Sequence, residues 1–354
     1  MKYAPVRLSK NIRRLRQRIG TPLYKKLPLT LPLSLHIDPC NVCNFKCAFC
    51  PTSDGDLLAS VNRFRGVMSL ELFRKIIDDI GEEVRRTGAM LQQLHLYKDG
   101  EPLLNIHFLE MAEYAKRKNI ARIVSTTTNG SLLTEEIASA LIRCDFDMIR
   151  ISVEHINDEG YKKITGTYDD YRTIKEKIAF LFNEKKRRGS NLRIKIKMND
   201  ARFSKEEKRQ FFREFRPLCD EITIDSLMGW SFSQKKDFTL GATLKTAMDG
   251  FTPLKEKKIC PEPFSTLAIN PDGTVSVCCV DWAYATIVGN FHDQNLRDIW
   301  NGDALRDFRM KHLSGKRSLL PACATCHYLQ GFPESENLDG AAEQLIALFK
   351  TQRS

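Results

Sequence analysis

Cys43, Cys47 and Cys50 stand in one short run, Cys43-Asn-Phe-Lys-Cys47-Ala-Phe-Cys50. Three thiolates so placed can bind a four-iron cluster and leave one iron open, and an open iron is a reactive site. The spacing argues against the commoner cysteine sites. A zinc ribbon or finger closes its tetrahedron with four ligands, typically as two close pairs. Ferredoxin-type runs supply a fourth cysteine to fill each cluster. Cys40 lies before the run, after Pro39, and is read as a bystander. The competing reading is a buried or metal-storing cysteine cluster.

The pattern C-x3-C-x2-C, with Phe49 before the last cysteine and Pro51 after it, resembles the signature of the radical S-adenosylmethionine (SAM) superfamily. The resemblance implies that the open iron chelates the amino and carboxylate groups of SAM. It also implies that electron transfer cleaves SAM to a 5'-deoxyadenosyl radical, and that Phe49 packs near the adenine. Lys98-Asp99-Gly100-Glu101-Pro102 resembles the Gly-Gly-Glu-Pro motif that recognises the SAM amino group, with Asp99 in place of the first Gly. Asp reaches positive φ less readily than Gly, so the backbone at residue 99 is the point of departure. Thr128-Asn129-Gly130 matches a common family strand ending, although Asn-Gly is also a generic turn. Ser152 and Glu154 sit where family members contact the ribose or carboxylate of SAM, and their competing reading is plain strand-end polarity. Alternation along a strand lets both face the barrel.

A second metal site is expected from Cys260, Cys278, Cys323 and Cys326. Gly273-x4-Cys278, preceded by Cys260-Pro261 and followed by Gly289-Asn290 and Ile299-Trp300-Asn301, resembles the SPASM or twitch extension of radical SAM enzymes. Cys279 competes with Cys278, but neighbouring strand residues face opposite sides, and the Gly-x4-Cys spacing selects Cys278. No cysteine follows Cys326, so one auxiliary 4Fe-4S cluster is expected, in the shorter twitch form. Four thiolates would saturate it, which makes electron transfer its expected job. A four-thiolate zinc site is the alternative. Cys144 and Cys219 read as small buried apolar residues, and His327 as a packed neighbour of Cys326.

Short β-branched runs alternate with amphipathic helical segments from residue 33 onward, which argues for βα units on a parallel sheet. Strands are expected at Ser34 to Asp38, Gln93 to Tyr97, Arg122 to Thr127, Met148 to Val153, Leu192 to Met198 and Glu221 to Asp225. The fold class is therefore α/β, a partial (β/α)6 barrel with a small α+β twitch-type C-terminal domain. The cysteine run follows the first strand, so the cluster lies at the C-terminal strand ends, where such folds carry their sites. The expected organisation is a basic arm at 1–33, the barrel at 34–227, a linker at 228–259, the auxiliary domain at 260–332 and a helix or tail at 333–354. Asn270-Pro271-Asp272-Gly273 predicts a β-hairpin.

The net charge of +11 is concentrated at the start, where nine Lys and Arg precede the first acid, Asp38. Leu8, Ile12, Leu15 and Ile19 recur there at helical spacing. A basic amphipathic helix fits either a stripe capping the barrel bottom or a contact with an anionic surface. No apolar run is long enough to span a membrane. The two cysteine groups favour metal binding in a reducing compartment, so a cytoplasmic location is expected.

The reading that joins these features is a radical SAM oxidoreductase acting on a small polar, sugar-like molecule by oxidation or epimerisation. An external one-electron donor such as flavodoxin or ferredoxin would reduce the first cluster, and the second would accept an electron. Asp225, at the end of the sixth strand, is the proton-acceptor candidate, with Glu154 and Lys197 as alternatives; Trp230 and Trp282 are candidates for the substrate side. The alternatives are a SPASM-type peptide or protein maturase and a metal-stabilised protein that binds RNA or membrane.

Overall fold

Each barrel helix is bounded by residues that stop one element and start the next. In α1 (Leu70–Thr87) Ser69 accepts the free Leu72 N–H, and Gly88 ends the helix at φ 66°. A side-chain acceptor at the N-cap and a left-handed residue after the last turn satisfy backbone groups that a helix cannot pair internally. The others are α2 (Phe108–Lys118), α3 (Glu135–Arg143), α4 (Asp158–Thr165), α5 (Tyr171–Arg188) and α6 (Lys205–Phe215). The last opens with a reciprocal capping box between Ser204 and Glu207. The computed structural model describes residues 21–351 except 169, 202, 233–234, 243–245 and 249–252. The stripe Leu8, Ile12, Leu15 and Ile19 lies outside the described residues.

Six parallel strands alternate with these helices: β1 (Ser34–Ile37), β2 (Gln93–His95), β3 (Val124–Thr128), β4 (Met148–Ser152), β5 (Arg193–Asn199) and β6 (Glu221–Asp225). They lie side by side in chain order, as right-handed βα units require. Ile149, Ile151, Ile194, Ile196 and Met198 are buried in the main apolar core. The intervening residues of β5, Arg193, Lys195, Lys197 and Asn199, are only half-buried. The barrel is therefore apolar toward its helices and polar inside.

The C-terminal part does not stand apart from the barrel. Its first strand, β7 (Thr266–Ile269), pairs in parallel with β1, Ser34 opposite Thr266 and Ile37 opposite Ile269. The antiparallel β8 (Thr274–Ser276) and β9 (Ile287–Asn290) extend the same sheet to nine strands. The hairpin around Asn270 to Gly273 is present, with Gly273 at φ 83°. Behind it run α7 (Leu296–Asn301), α8 (Asp303–Leu313) and α9 (Ala342–Thr351). A second core joins Leu23 and Leu27 to Phe264, Leu313, Leu345 and Phe349, so both ends of the described chain pack together. Among the described residues no helix is long and apolar enough to cross a membrane.

Candidate active site

The cysteine run leaves β1 and is pinned from both sides. Lys46 N–H donates to Thr165 O at 2.7 Å and Ala48 N–H to Ile164 O at 3.0 Å, both at the end of α4. Phe45 is buried and packs on Tyr168 at 5.1 Å between ring centroids. From below, Glu101 N–H donates to Val42 O at 2.9 Å. This close approach explains Gly100: a Cβ there would lie 2.3 Å from Cys40 O and 2.4 Å from Val42 O. Glycine is the residue that permits such backbone contact.

Cys43, Cys47 and Cys50 line one cavity of about 770 Å³. Phe45 N–H reaches the Cys43 sulfur at 3.4 Å, and the Thr52 hydroxyl lies 3.0 Å from the Cys50 sulfur. Burial pushes the Cys43 thiol up to about 12 and the Cys47 and Cys50 thiols above their usual range. Three half-buried thiols that resist ionising alone suit a metal, because the cation supplies the charge that stabilises thiolates. Cys40 is buried away from them, its sulfur turned to Val42 O at 3.3 Å.

Phe49, Gly100, Glu101, Asn129, Ser152, Glu154 and Asp225 line the same cavity, and Pro102 is buried directly behind Glu101. Glu101 is already engaged. It accepts from Thr128 Oγ1 and from Asn129 N–H at 2.7 Å each, and from Leu103 N–H at 3.0 Å. It therefore ties the Gly-Glu-Pro loop to the end of β3, and burial raises its carboxyl to about 7. Glu154 differs: its Oε2 is buried without a hydrogen-bond partner among the described residues. Burial raises it to about 7 against the pull of Lys197. An orphaned acceptor facing a cavity beside the thiols is what a bound nucleotide or amino acid could satisfy.

Asp99 shows what replaces the first glycine of the motif. Its carboxylate meets Arg63 at 3.0 Å and Lys98 at 2.6 Å, and all three side chains are fully buried. Arg63 also donates to Trp282 O, and Lys98 to Asp281 O at 3.0 Å. Both cations face the Tyr284 ring, at 5.1 and 4.7 Å from its centroid. The backbone oxygen of Asp99 accepts from the hydroxyl of Thr52, two residues after Cys50, at 3.3 Å. Asp99 thus joins the first cysteine loop to the C-terminal hairpin. Nothing in the local pattern around Arg63 or Tyr284 signals this, since the partners are far apart in sequence.

Cys260, Cys278, Cys323 and Cys326 line a separate small pocket together with His312 and Arg317. Burial pushes the Cys323 thiol up to about 12 and that of Cys260 well above its usual range. Arg317 donates to Cys323 O and, at 3.3 Å, to Cys326 O. Four half-buried thiols around one pocket fit a fully ligated cluster. Cys279 also lines the first cavity, but its sulfur, the Cys278 sulfur and a Glu262 oxygen lie within 4.8 Å of one another; β8 ends at Ser276, so strand alternation does not separate the two cysteines as expected. Glu262 lines both cavities, and its Oε2 is a buried orphan. The segment expected as a linker brings Met228, Trp230 and Ala247 to the first cavity, with Trp230 in reach of Phe49 O at 3.2 Å. Trp282 is buried against Leu58 and Ala283. Cys144 and Cys219 are half-buried beside the main core.

Three thiols at the rim of a parallel barrel, beside a pocket of four more, define an iron–sulfur protein with two sites. Residues 37–197 match the Radical SAM superfamily, and residues 260–327 match an iron–sulfur cluster-binding domain, SPASM. The chain is thus a radical SAM protein with a C-terminal SPASM-type domain, and its cofactors are SAM and 4Fe-4S clusters. It is 22% identical over 334 residues to the Fe-coproporphyrin III synthase of Methanosarcina barkeri, covering 81% of this chain and 78% of that one. It is 28% identical over 149 residues to the GTP 3',8-cyclase of Desulforamulus reducens, covering 40% of this chain. The match spans 41% of that cyclase's length. Similar solved structures include Streptococcus suis SuiB, with TM-score 0.59 and 14% identity over 87% of this chain and 74% of that one. BtrN in complex with AdoMet and 2-DOIA gives 0.51 and 15%, over 84% and 93%. At these identities the likeness is one of fold.

Proposed function

We propose that this protein is a radical SAM oxidoreductase that oxidises a small polar, sugar-like molecule and passes an electron to its C-terminal cluster. The observation that carries the reading is the placement of one cavity between the two cysteine sites. Its wall includes the three rim cysteines on one side and Cys279, Glu262 and Tyr328 on the other. When bound, SAM and the first cluster supply the 5'-deoxyadenosyl radical that removes a hydrogen atom from carbon.

The residues around that chemistry divide the work. Cys43, Cys47 and Cys50 hold the first cluster, and Phe49, Gly100, Glu101, Pro102, Asn129, Ser152 and Glu154 shape the SAM site. Met228 and Trp230 cover the cavity and exclude water. Asp225, on the cavity wall at the end of β6, takes the proton released as the substrate loses its second electron. Cys260, Cys278, Cys323 and Cys326 would hold a second cluster, a group able to accept an electron. A flavodoxin or ferredoxin in a reducing cytoplasm supplies the first one. The test is anaerobic reconstitution followed by incubation with SAM and a strong reductant. Formation of 5'-deoxyadenosine by the wild type, and its loss in Cys43→Ala, supports the reading; equal yields from both would end it.

A further inference from the structure

Below the layer assigned to SAM, the barrel wall turns basic. Register sets Arg150 beside Lys195 and Ser152 beside Lys197, and all four line the cavity. Inward side chains alternate, so Arg150 and Lys195 lie one layer deeper than Ser152 and Lys197, about 7 Å further down at roughly 3.3 Å per residue. Lys197 belongs to the upper layer, where its charge acts on Glu154 and Cys47. The deeper pair has no such partner. Arg150 donates to the neutral phenol of Tyr97 at 2.7 Å, and neither Arg150 nor Lys195 forms an ion pair among the described residues.

Among the described residues none of the five carboxylates lining the cavity forms an ion pair with Arg150 or Lys195, and Glu154 and Glu262 each keep a buried oxygen without a partner. Asp99 is held by Arg63 and Lys98, and Glu101 by Thr128 and Asn129. Glu221, which stands opposite Lys195 in register, is exposed and turned toward Arg193 at 3.9 Å. His95, beneath Arg150, is buried against Ser125 and kept neutral by burial and by the fields of His36 and Arg150. Two half-buried cations that line a cavity with no ion-pair partner offer a site that an anionic ligand can neutralise.

We propose that Arg150 and Lys195 form a receptor for an anionic group of the substrate, a carboxylate or a phosphate, at the barrel floor. This rests on the reading that the cavity holds the substrate. It narrows the substrate class from any polar molecule to one carrying an anionic group about 7 Å, two strand residues' rise, from the carbon presented to SAM. A guanidinium and an ammonium side by side suit the oxygens of either anion.

The test is anaerobic titration calorimetry of the reconstituted holoenzyme, saturated with SAM, with inorganic phosphate, malonate and uncharged glycerol. One of the two anions should bind with one-to-one stoichiometry and more tightly than glycerol. Arg150→Gln and Lys195→Gln should each weaken it by about ten-fold, the worth of a charged hydrogen bond, while the charge-preserving Lys195→Arg should restore it. Preference for phosphate assigns a phosphorylated substrate; preference for malonate assigns a carboxylated one. The proposal is overturned if neither anion outbinds glycerol, if both Gln variants bind like wild type, or if an anion binds only without SAM, which would give these cations to the SAM carboxylate. Deoxyadenosine formation by the wild type reads the proposed function separately, so the two failures are distinguishable.

Discussion

At the scale of single residues, the tightest constraint is at Gly100, where a methyl group would enter the backbone of Cys40 and Val42. Neither neighbour is a side-chain tip that can swing away. Gly100→Ala should destabilise the fold by about 1–3 kcal/mol, read by thermal melting, and should lower the iron retained after reconstitution. Arg317 is a second such point. Its charge lies against the backbone of Cys323 and Cys326, where a cation favours the more negative, reduced cluster. Arg317→Gln should lower the potential of the second cluster by on the order of tens of millivolts, measured by an EPR-monitored titration. The buried carboxyls give a pH signature. Burial lifts Asp38, Glu101 and Glu154 each to about 7, so between about pH 4 and 7 the native state holds more protons than the unfolded chain. Stability from these groups is therefore greatest below their unfolded values and falls as pH rises to about 7. The metal-free protein should melt at a lower temperature at pH 7.5 than at pH 5.5, and a Tm flat across that range would contradict the assignment.

Among the elements, the loop after β2 and the C-terminal hairpin are joined through a buried charged junction. Removing the carboxylate at Asp99 would leave Arg63 and Lys98 buried without it, and breaking such a pair typically costs about 3–5 kcal/mol. Asp99→Ala should show that loss in denaturant unfolding. Aromatic and polar contacts from Tyr284 and Asn41 close the same junction. None of this was legible from local sequence, because Arg63 and Trp282, or Asn41 and Tyr284, meet only through the fold. The cysteine loop was legible for the opposite reason: its chemistry demands particular residue types at short spacing. The six barrel strands were legible to within about two residues, since β-branched runs between capped helices leave few alternatives. In β5 the polar residues alternate with apolar ones, and Lys197, the alternative proton-acceptor candidate, lies on the cavity wall together with Lys195.

Considered as a whole molecule, the chain is one sheet carrying two metal sites. Glycines and lysines that break the βα rhythm at 228–259 mark a linker between barrel and auxiliary domain. No local pattern signals that β7 docks in parallel on β1, nor that β9, a short strand, pairs with β8. This continuity places the four-cysteine pocket beside the larger cavity, with Glu262 lining both. Cys323→Ala should then retain 5'-deoxyadenosine formation while blocking substrate turnover. Whether two distinct cluster sites serve one cavity is read by iron and sulfide analysis with Mössbauer spectroscopy on reconstituted wild type, Cys43→Ala and Cys323→Ala. Two 4Fe-4S clusters are expected in the wild type, about eight irons per chain, and one in each variant. Iron for only one cluster in the wild type, with stoichiometric zinc at the second site, would contradict that expectation.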